Sequence, residues 1–180
     1  AEHLPFAAGS RGLIWSNLLR YWLDEPRPAF REAQRTLEVG GLFMFSTFGP
    51  DTLRELAGCF GDGAAHTQRF TDMHDLGDML VECGFVDPVM DMEVLTLTYH
   101  SVDDLVAELR AAGERCAMHG RRQMLAGRGV WERVRAAYAK LSQDGRIPAT
   151  FEVVYGHAWK GEPKKTADGR AIVRFERRPK

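Results

Sequence analysis

Cysteine is scarce in this 180-residue chain. The three present, Cys59, Cys83 and Cys116, are odd in number and far apart, with none of the CxxC or Cys/His spacing of a metal site. They read as reduced, buried thiols of a cytoplasmic protein. Long apolar runs are also missing. Nothing approaches the roughly 18 residues of a membrane span, and no basic start followed by an apolar stretch marks a secretory signal. No charge dominates: 24 Lys and Arg stand against 25 Asp and Glu, a net charge of -1. That balance excludes a polybasic nucleic-acid binder or an acidic solvating chain. The sequence has no GxGxxG or Walker phosphate loop, catalytic triad, metal constellation or internal repeat. It begins Ala-Glu-His-Leu-Pro-Phe without an initiator Met and reads as the middle of a longer polypeptide.

What is present is an ordinary globular balance, 44% hydrophobic and 27% charged. Gly12 to Asn17 is a nearly continuous apolar run, expected of a strand buried on both faces. Asp24 and Pro26 open a helix carrying Phe30, Ala33 and Leu37, and Gly40-Gly41 is predicted to stop it. Leu42 to Phe48 reads as a second buried strand. Pro50-Asp51 then opens a helix with Leu53, Leu56, Ala57 and Phe60 on one face. Gly61 to Phe70 is polar and loop-like. Asp72 is placed to cap a helix bearing Met73, Leu76, Met79 and Leu80, with Gly84 at its end. Glu93 to Tyr99 alternates like a strand. Strands alternating with helices predict an α/β fold with a largely parallel sheet.

The second half changes character. Ser101 and Asp104 resemble a capping box before Leu105, Val106 and Leu109. A Gly- and Arg-rich stretch over 113–129 precedes a second amphipathic helix with Val130, Trp131, Val134, Tyr138 and Leu141. Thr150 to Lys160 reads as a long strand. A polar, basic tail follows over 161–180, in which Ala171 to Phe175 has the pattern of a short edge strand.

Several positions are candidates for chemistry. Ser16 and Asn17 end the first strand, and open α/β sheets bind ligands beyond the carboxyl ends of their strands; a plain strand-ending turn is the alternative. His66 and Arg69 share the loop HTQRF, where Arg offers a fork for a carboxylate or is simply solvated. Tyr155 and His157 alternate, so they share one strand face, either lining a pocket or buried with satisfied hydrogen bonds. Over 114–146, eight Arg and Lys stand against three Asp and Glu, leaving plus five. Such a patch steers an acidic partner, or is a solvated helix face.

The strings EHLPFAAGSRGLIWSN, FSTFGPDTL, DMHDLGDML and PATFEVVYGHAWK, in this order, resemble the malonyl-acyl-carrier-protein O-methyltransferases of biotin synthesis, a family of class I S-adenosylmethionine-dependent methyltransferases. The resemblance covers the chain to about Lys160, as the carboxyl-terminal two-thirds of such an enzyme. It implies part of a Rossmann-like sheet, strands four to seven, with a helical insertion. Residues 1–100 would belong to the core, 101–147 to an insertion over the substrate site, 148–160 to the last core strand and 161–180 to a basic tail. Glu93–Tyr99 and Thr150–Lys160 would form the antiparallel edge.

The implied reaction methylates the free carboxylate of malonyl-acyl carrier protein, which is ionised at pH 7 and needs no catalytic base. The cofactor would be S-adenosylmethionine, touched by Glu2, Leu4, Ser16 and Asn17. The substrate would meet Arg121 first, with Arg69, Tyr155 and His157 beside it. An acidic carrier protein would dock on 114–146, with Arg128, Arg133 and Arg135 facing outward. The family's amino-terminal βαβ half and its glycine-rich loop are not among these residues. The chain alone is therefore expected to bind the cofactor weakly, and Leu13–Asn17 to be an exposed sheet edge through which two copies pair. The alternatives are a non-catalytic, methyltransferase-like interaction protein and a methyltransferase of another small carboxylic acid.

Overall fold

Two helices lie against one face of a four-stranded sheet, and three lie over one end of the other. A computed structural model describes residues 2–18, 25–60, 70–113 and 127–162. Among these the order is β1 (Arg11–Asn17), α1 (Arg27–Thr36), β2 (Leu37–Phe48), α2 (Arg54–Phe60), α3 (Met73–Glu82), β3 (Phe85–Tyr99), α4 (Val102–Ala111), α5 (Arg128–Ala139) and β4 (Ile147–Lys160). The strands lie in the order β1-β2-β4-β3. β1 pairs parallel with β2, whereas β4 is antiparallel to both neighbours. The expectation of a largely parallel sheet therefore holds for one strand pair of three. The last strand inserts between two earlier ones, so its direction is set by α4 and α5 rather than by a βαβ crossover.

Local signals explain most boundaries. Asp72 caps α3 by accepting the His74 N–H at 2.8 Å, and Gly84 turns the chain out of that helix at φ +90°. Ser101 Oγ accepts the Asp104 N–H at 3.1 Å, capping α4, and donates to the Asp104 carboxylate at 2.8 Å. Gly40-Gly41 does not stop a helix. α1 ends at Thr36, and the two glycines lie inside β2. Arg11 opposes Leu37 while Leu13 opposes Leu42, so Glu38 to Gly41 bulge out of the ladder. A β-carbon on Gly41 would sit 2.9 Å from the Glu38 carbonyl oxygen. β3 starts eight residues before the predicted Glu93, passing Asp87 and Pro88 in a second bulge.

The core has two parts. Phe30, Ala33, Leu76 and Leu80 of α1 and α3 close over Phe43, Phe45, Val154 and Ala158. Phe43 stacks on Phe45 and Phe85 with centroids 5.3 and 5.5 Å apart. At the carboxyl end of β2, on the other side of the sheet, Val102, Leu105, Val134 and Tyr138 pack on Phe48, Phe151 and Val153. Glu55 ties α2 to β4, accepting the Thr150 N–H at 3.1 Å and its hydroxyl as well. Among the described residues, no helix is long and apolar enough to cross a membrane.

Candidate functional site

The strand registers assemble a polar row that no single stretch of sequence contains. Asn17 lies opposite Ser46, Ser46 opposite Tyr155, and Tyr155 opposite Asp91. Side chains at such positions share one face. The Ser46 hydroxyl donates to Asn17 Oδ1 at 2.5 Å, and the Tyr155 hydroxyl donates to Glu93 Oε1 at 2.5 Å. That bond to a carboxylate holds the Tyr155 phenol above its ordinary pKa. Immediately after Asn17 the chain leaves the sheet. Leu18 takes φ +52°, and its N–H donates to both the carbonyl and the hydroxyl of Ser46, at 3.0 and 3.2 Å. A leucine in the left-handed region is a strained turn, held here by the residue that also grips Asn17.

One step along the same face the surface becomes apolar. Phe48, Leu95, Tyr99, Leu109, Phe151 and Val153 line a cavity of about 240 Å³ between the sheet and α4, with Glu108 at its rim. A ligand lying across this region would meet hydrogen-bonding groups at the carboxyl end of β1 and an apolar recess beyond Phe48. This is the usual division of a small-molecule site.

The proposed cofactor residues fall apart in space. Asn17 is exposed on the face of the polar row, and its amide nitrogen is engaged by no other described residue. Ser16 points to the opposite face, opposite Phe45. Leu4 lies beside α1, its N–H given to Glu32 Oε1 at 2.8 Å, and Glu2 is exposed nearby. Asn17 thus fits a polar cofactor group, and Leu4 has no amide proton left to offer. Of the substrate candidates, Tyr155 and His157 share the predicted face. Tyr155 is committed to Glu93, and the His157 ring meets Trp159 edge-on at 5.0 Å. Arg69 and Arg121 lie outside the described residues, as do His66 and Cys116. Arg135 does not face outward unpaired, because Nε and Nη2 both donate to Asp103 at 2.8 Å. Arg128 and Arg133 are exposed. Sequence reasoning missed Ser46 and Glu93. Their one signal was a polar residue at an alternate position of an apolar strand.

A family model described as a methyltransferase domain matches residues 1–45. The malonyl-[acyl-carrier protein] O-methyltransferase of Laribacter hongkongensis is 50% identical over 179 residues, 97% of this chain and 60% of that protein. Its counterpart in Gallionella capsiferriformans is 50% identical over 175 residues, again 60% of its length. This chain therefore spans about three fifths of the curated relatives it matches. Among solved structures, a putative methyltransferase of Bacillus halodurans superposes with a TM-score of 0.58 at 17% identity, over 89% of this chain and 69% of that one. The YcgJ protein of Bacillus subtilis gives 0.55 at 15% identity, over 90% and 69%. These two show the fold. Over nearly all its own length, this chain is similar to the malonyl-[acyl-carrier protein] O-methyltransferases of these two organisms.

Proposed function

We propose that this chain forms the acceptor side of an S-adenosylmethionine-dependent O-methyltransferase acting on the free carboxylate of a malonyl group carried by acyl carrier protein. The observation that carries this reading is half identity to enzymes of that name across nearly the whole chain, on a sheet of methyltransferase fold. The geometry agrees with it. S-adenosylmethionine, when bound, supplies an electrophilic methyl group. The acceptor is a carboxylate already ionised near pH 7, so what is required of the protein is alignment and exclusion of water. Asn17, held by Ser46, would present its amide to the cofactor at the end of β1. The recess between Phe48 and Leu109 would take the uncharged part of the acceptor, and α4 and α5 would screen it from solvent. Glu93 disfavours a second carboxylate beside Tyr155. Arg121, with Arg69 second, therefore remains the group assigned to orient the acceptor.

The acidic carrier would meet α5 through Arg128 and Arg133. Rim charges of this kind act on encounter rate and salt dependence more than on affinity. The setting would be the cytoplasm, where carrier-bound intermediates and reduced thiols coexist. The test joins this chain to the part of the Laribacter hongkongensis enzyme outside the match and follows labelled methyl transfer. Malonyl-carrier should be methylated well above free malonate, and Arg128→Glu with Arg133→Glu should raise KM for the carrier substrate several-fold at low salt. Equal methylation of free acids would favour another small carboxylic acid as acceptor. No transfer to either would favour the non-catalytic reading.

A further inference from the structure

The recess between the sheet and α4 is apolar except at one position. Among the described residues that line it, Glu108 alone carries a charge. Leu105, Glu108, Leu109 and Ala112 follow the i, i+3, i+4, i+7 spacing of the inward face of a helix. Leu105 is fully buried, and Leu109 packs against the same cluster. Glu108 therefore takes a position that packing alone would give to a hydrophobic residue. Its side chain is exposed at the recess mouth and has no hydrogen-bond or ion-pair partner among the described residues. Two other acids of α4 are committed. Asp103 receives both donors of Arg135, and Asp104 receives the Ser101 hydroxyl. The opposite wall is apolar and open, with Leu95 43% and Leu97 46% exposed on β3.

We propose that Glu108 is a specificity-determining residue of this recess: it admits an acceptor whose far end is neutral and carries an N–H donor, and turns away a free dicarboxylate. The inference rests on the reading above, in which the uncharged part of the acceptor lies in this recess. A carboxylate at the mouth acts on the two kinds of acceptor with opposite sign. In a free dicarboxylic acid the second carboxylate is ionised near pH 7, and it would enter beside Glu108 as a like charge against an apolar wall. In a carrier-bound acyl group that end is an uncharged thioester. Its arm continues into an amide, whose N–H a carboxylate accepts. Like charges in contact disfavour each other about fivefold even at the dielectric of bulk water, and by more beside an apolar wall. Selectivity for the bound acyl group then comes partly from a repulsive element inside the site, and not only from contact with the carrier.

The experiment titrates this chain, with its leucine and valine methyls labelled and no cofactor present, with malonate and with malonamate. The two acids are the same size and differ only in whether the second end is a carboxylate or an amide. By NMR at low salt, malonamate should shift the methyls of Leu109 and Val153 at a concentration about fivefold or more below that needed for malonate. The gap should narrow at about 1 M salt, where screening shortens the reach of the repulsion. Glu108→Gln should bring malonate to within about twofold of malonamate. Asp78→Asn, at an exposed acid of α3 on the other side of the sheet, should leave the gap intact, which separates the charge at the mouth from that of the whole chain. Because Glu108 is exposed, circular dichroism of its variant should match the parent. In the enzyme joined as above, Glu108→Gln should raise kcat/KM for free malonate about fivefold or more and change that for malonyl-carrier by less than about twofold. The titration needs no methyl transfer, so its failure is distinct from failure of the proposed activity. Three results overturn the inference: equal binding of the two acids, a preference for malonamate that survives Glu108→Gln, or no shift of the recess methyls by either.

Discussion

Phe43 and Trp15 lie one strand and one face apart, and their environments are opposite. Phe43 is 4% exposed and ringed by Phe30, Phe45 and Phe85. Trp15, the larger residue, stands on the bare side of the neighbouring strand. Both belong to apolar runs that read alike in sequence. Stability follows from what covers a residue rather than from its hydrophobicity. Apolar surface stabilises the fold only where folding removes it from water, at about 25 cal/mol per Å².

The largest expected effect breaks this contrast directly. Phe43→Ala should cost about 3–5 kcal/mol in urea unfolding of the isolated chain, combining lost transfer energy with a cavity among rigid rings. Trp15→Ala should change stability by no more than about 0.5 kcal/mol, as for an exposed position. Comparable costs would mean that the lower face is covered in solution.

The upper half of the same face is covered, and a smaller change tests how well. Tyr138 is buried on α5, and its hydroxyl donates to the Pro148 carbonyl at 2.9 Å, tying helix to strand. Burial pushes this phenol above its ordinary pKa. Tyr138→Phe keeps the ring and removes the donor, leaving the carbonyl short of a partner. The expected loss is about 1–2 kcal/mol, read from the urea midpoint with an unchanged slope. No loss would show that water reaches Pro148 and that the seal by α5 is incomplete.

The legible parts of this fold were those decided within a few residues. Asp72 before Met73 and Ser101 before Asp104 announce helices because a cap is a local hydrogen bond, and both form as read. Gly40-Gly41 was misread because a glycine pair after a helix serves equally as a stop or as a bulge. The choice rests with β1, across the ladder. The polar row was out of reach for the same reason. Asn17, Ser46, Tyr155 and Glu93 come from four strands, and their meeting is a fact of register. The pairing of Tyr155 with His157 on one face was visible, since alternation is local, but the Glu93 partner of Tyr155 was not. Gly12 to Asn17 was read as buried on both faces from its composition. Composition records what a strand is suited to, and among the described residues most of this strand is exposed.

The smallest effect concerns the segment that leads into the open strand. Glu32 on α1 accepts Arg35 Nε and Nη2, each at 2.8 Å, and the Leu4 N–H at the same distance. The Arg35 guanidinium first, then the Leu4 amide, hold its carboxyl at about 2, below the ordinary 4.5. A carboxyl with a depressed folded pKa contributes its stabilisation above the ordinary value and loses it as pH falls through the folded value. The hold of Glu32 on Leu4 should therefore be intact at pH 5, weaken below about 4.5, and be lost as pH falls through about 2, while the Gly9 and Ser10 bonds to α1 carbonyls remain. By NMR, the Leu4 amide proton should move upfield over that window as its carboxylate acceptor is neutralised. Glu32→Gln should abolish the titration and leave Leu4 near its low-pH position at every pH. The ladder amides of Phe43 and Phe45 should not follow, because neither touches Glu32. A Leu4 midpoint at the ordinary carboxyl value would mean that this segment is detached from α1 in solution, and that β1 is open along its amino-terminal approach as well as along its edge.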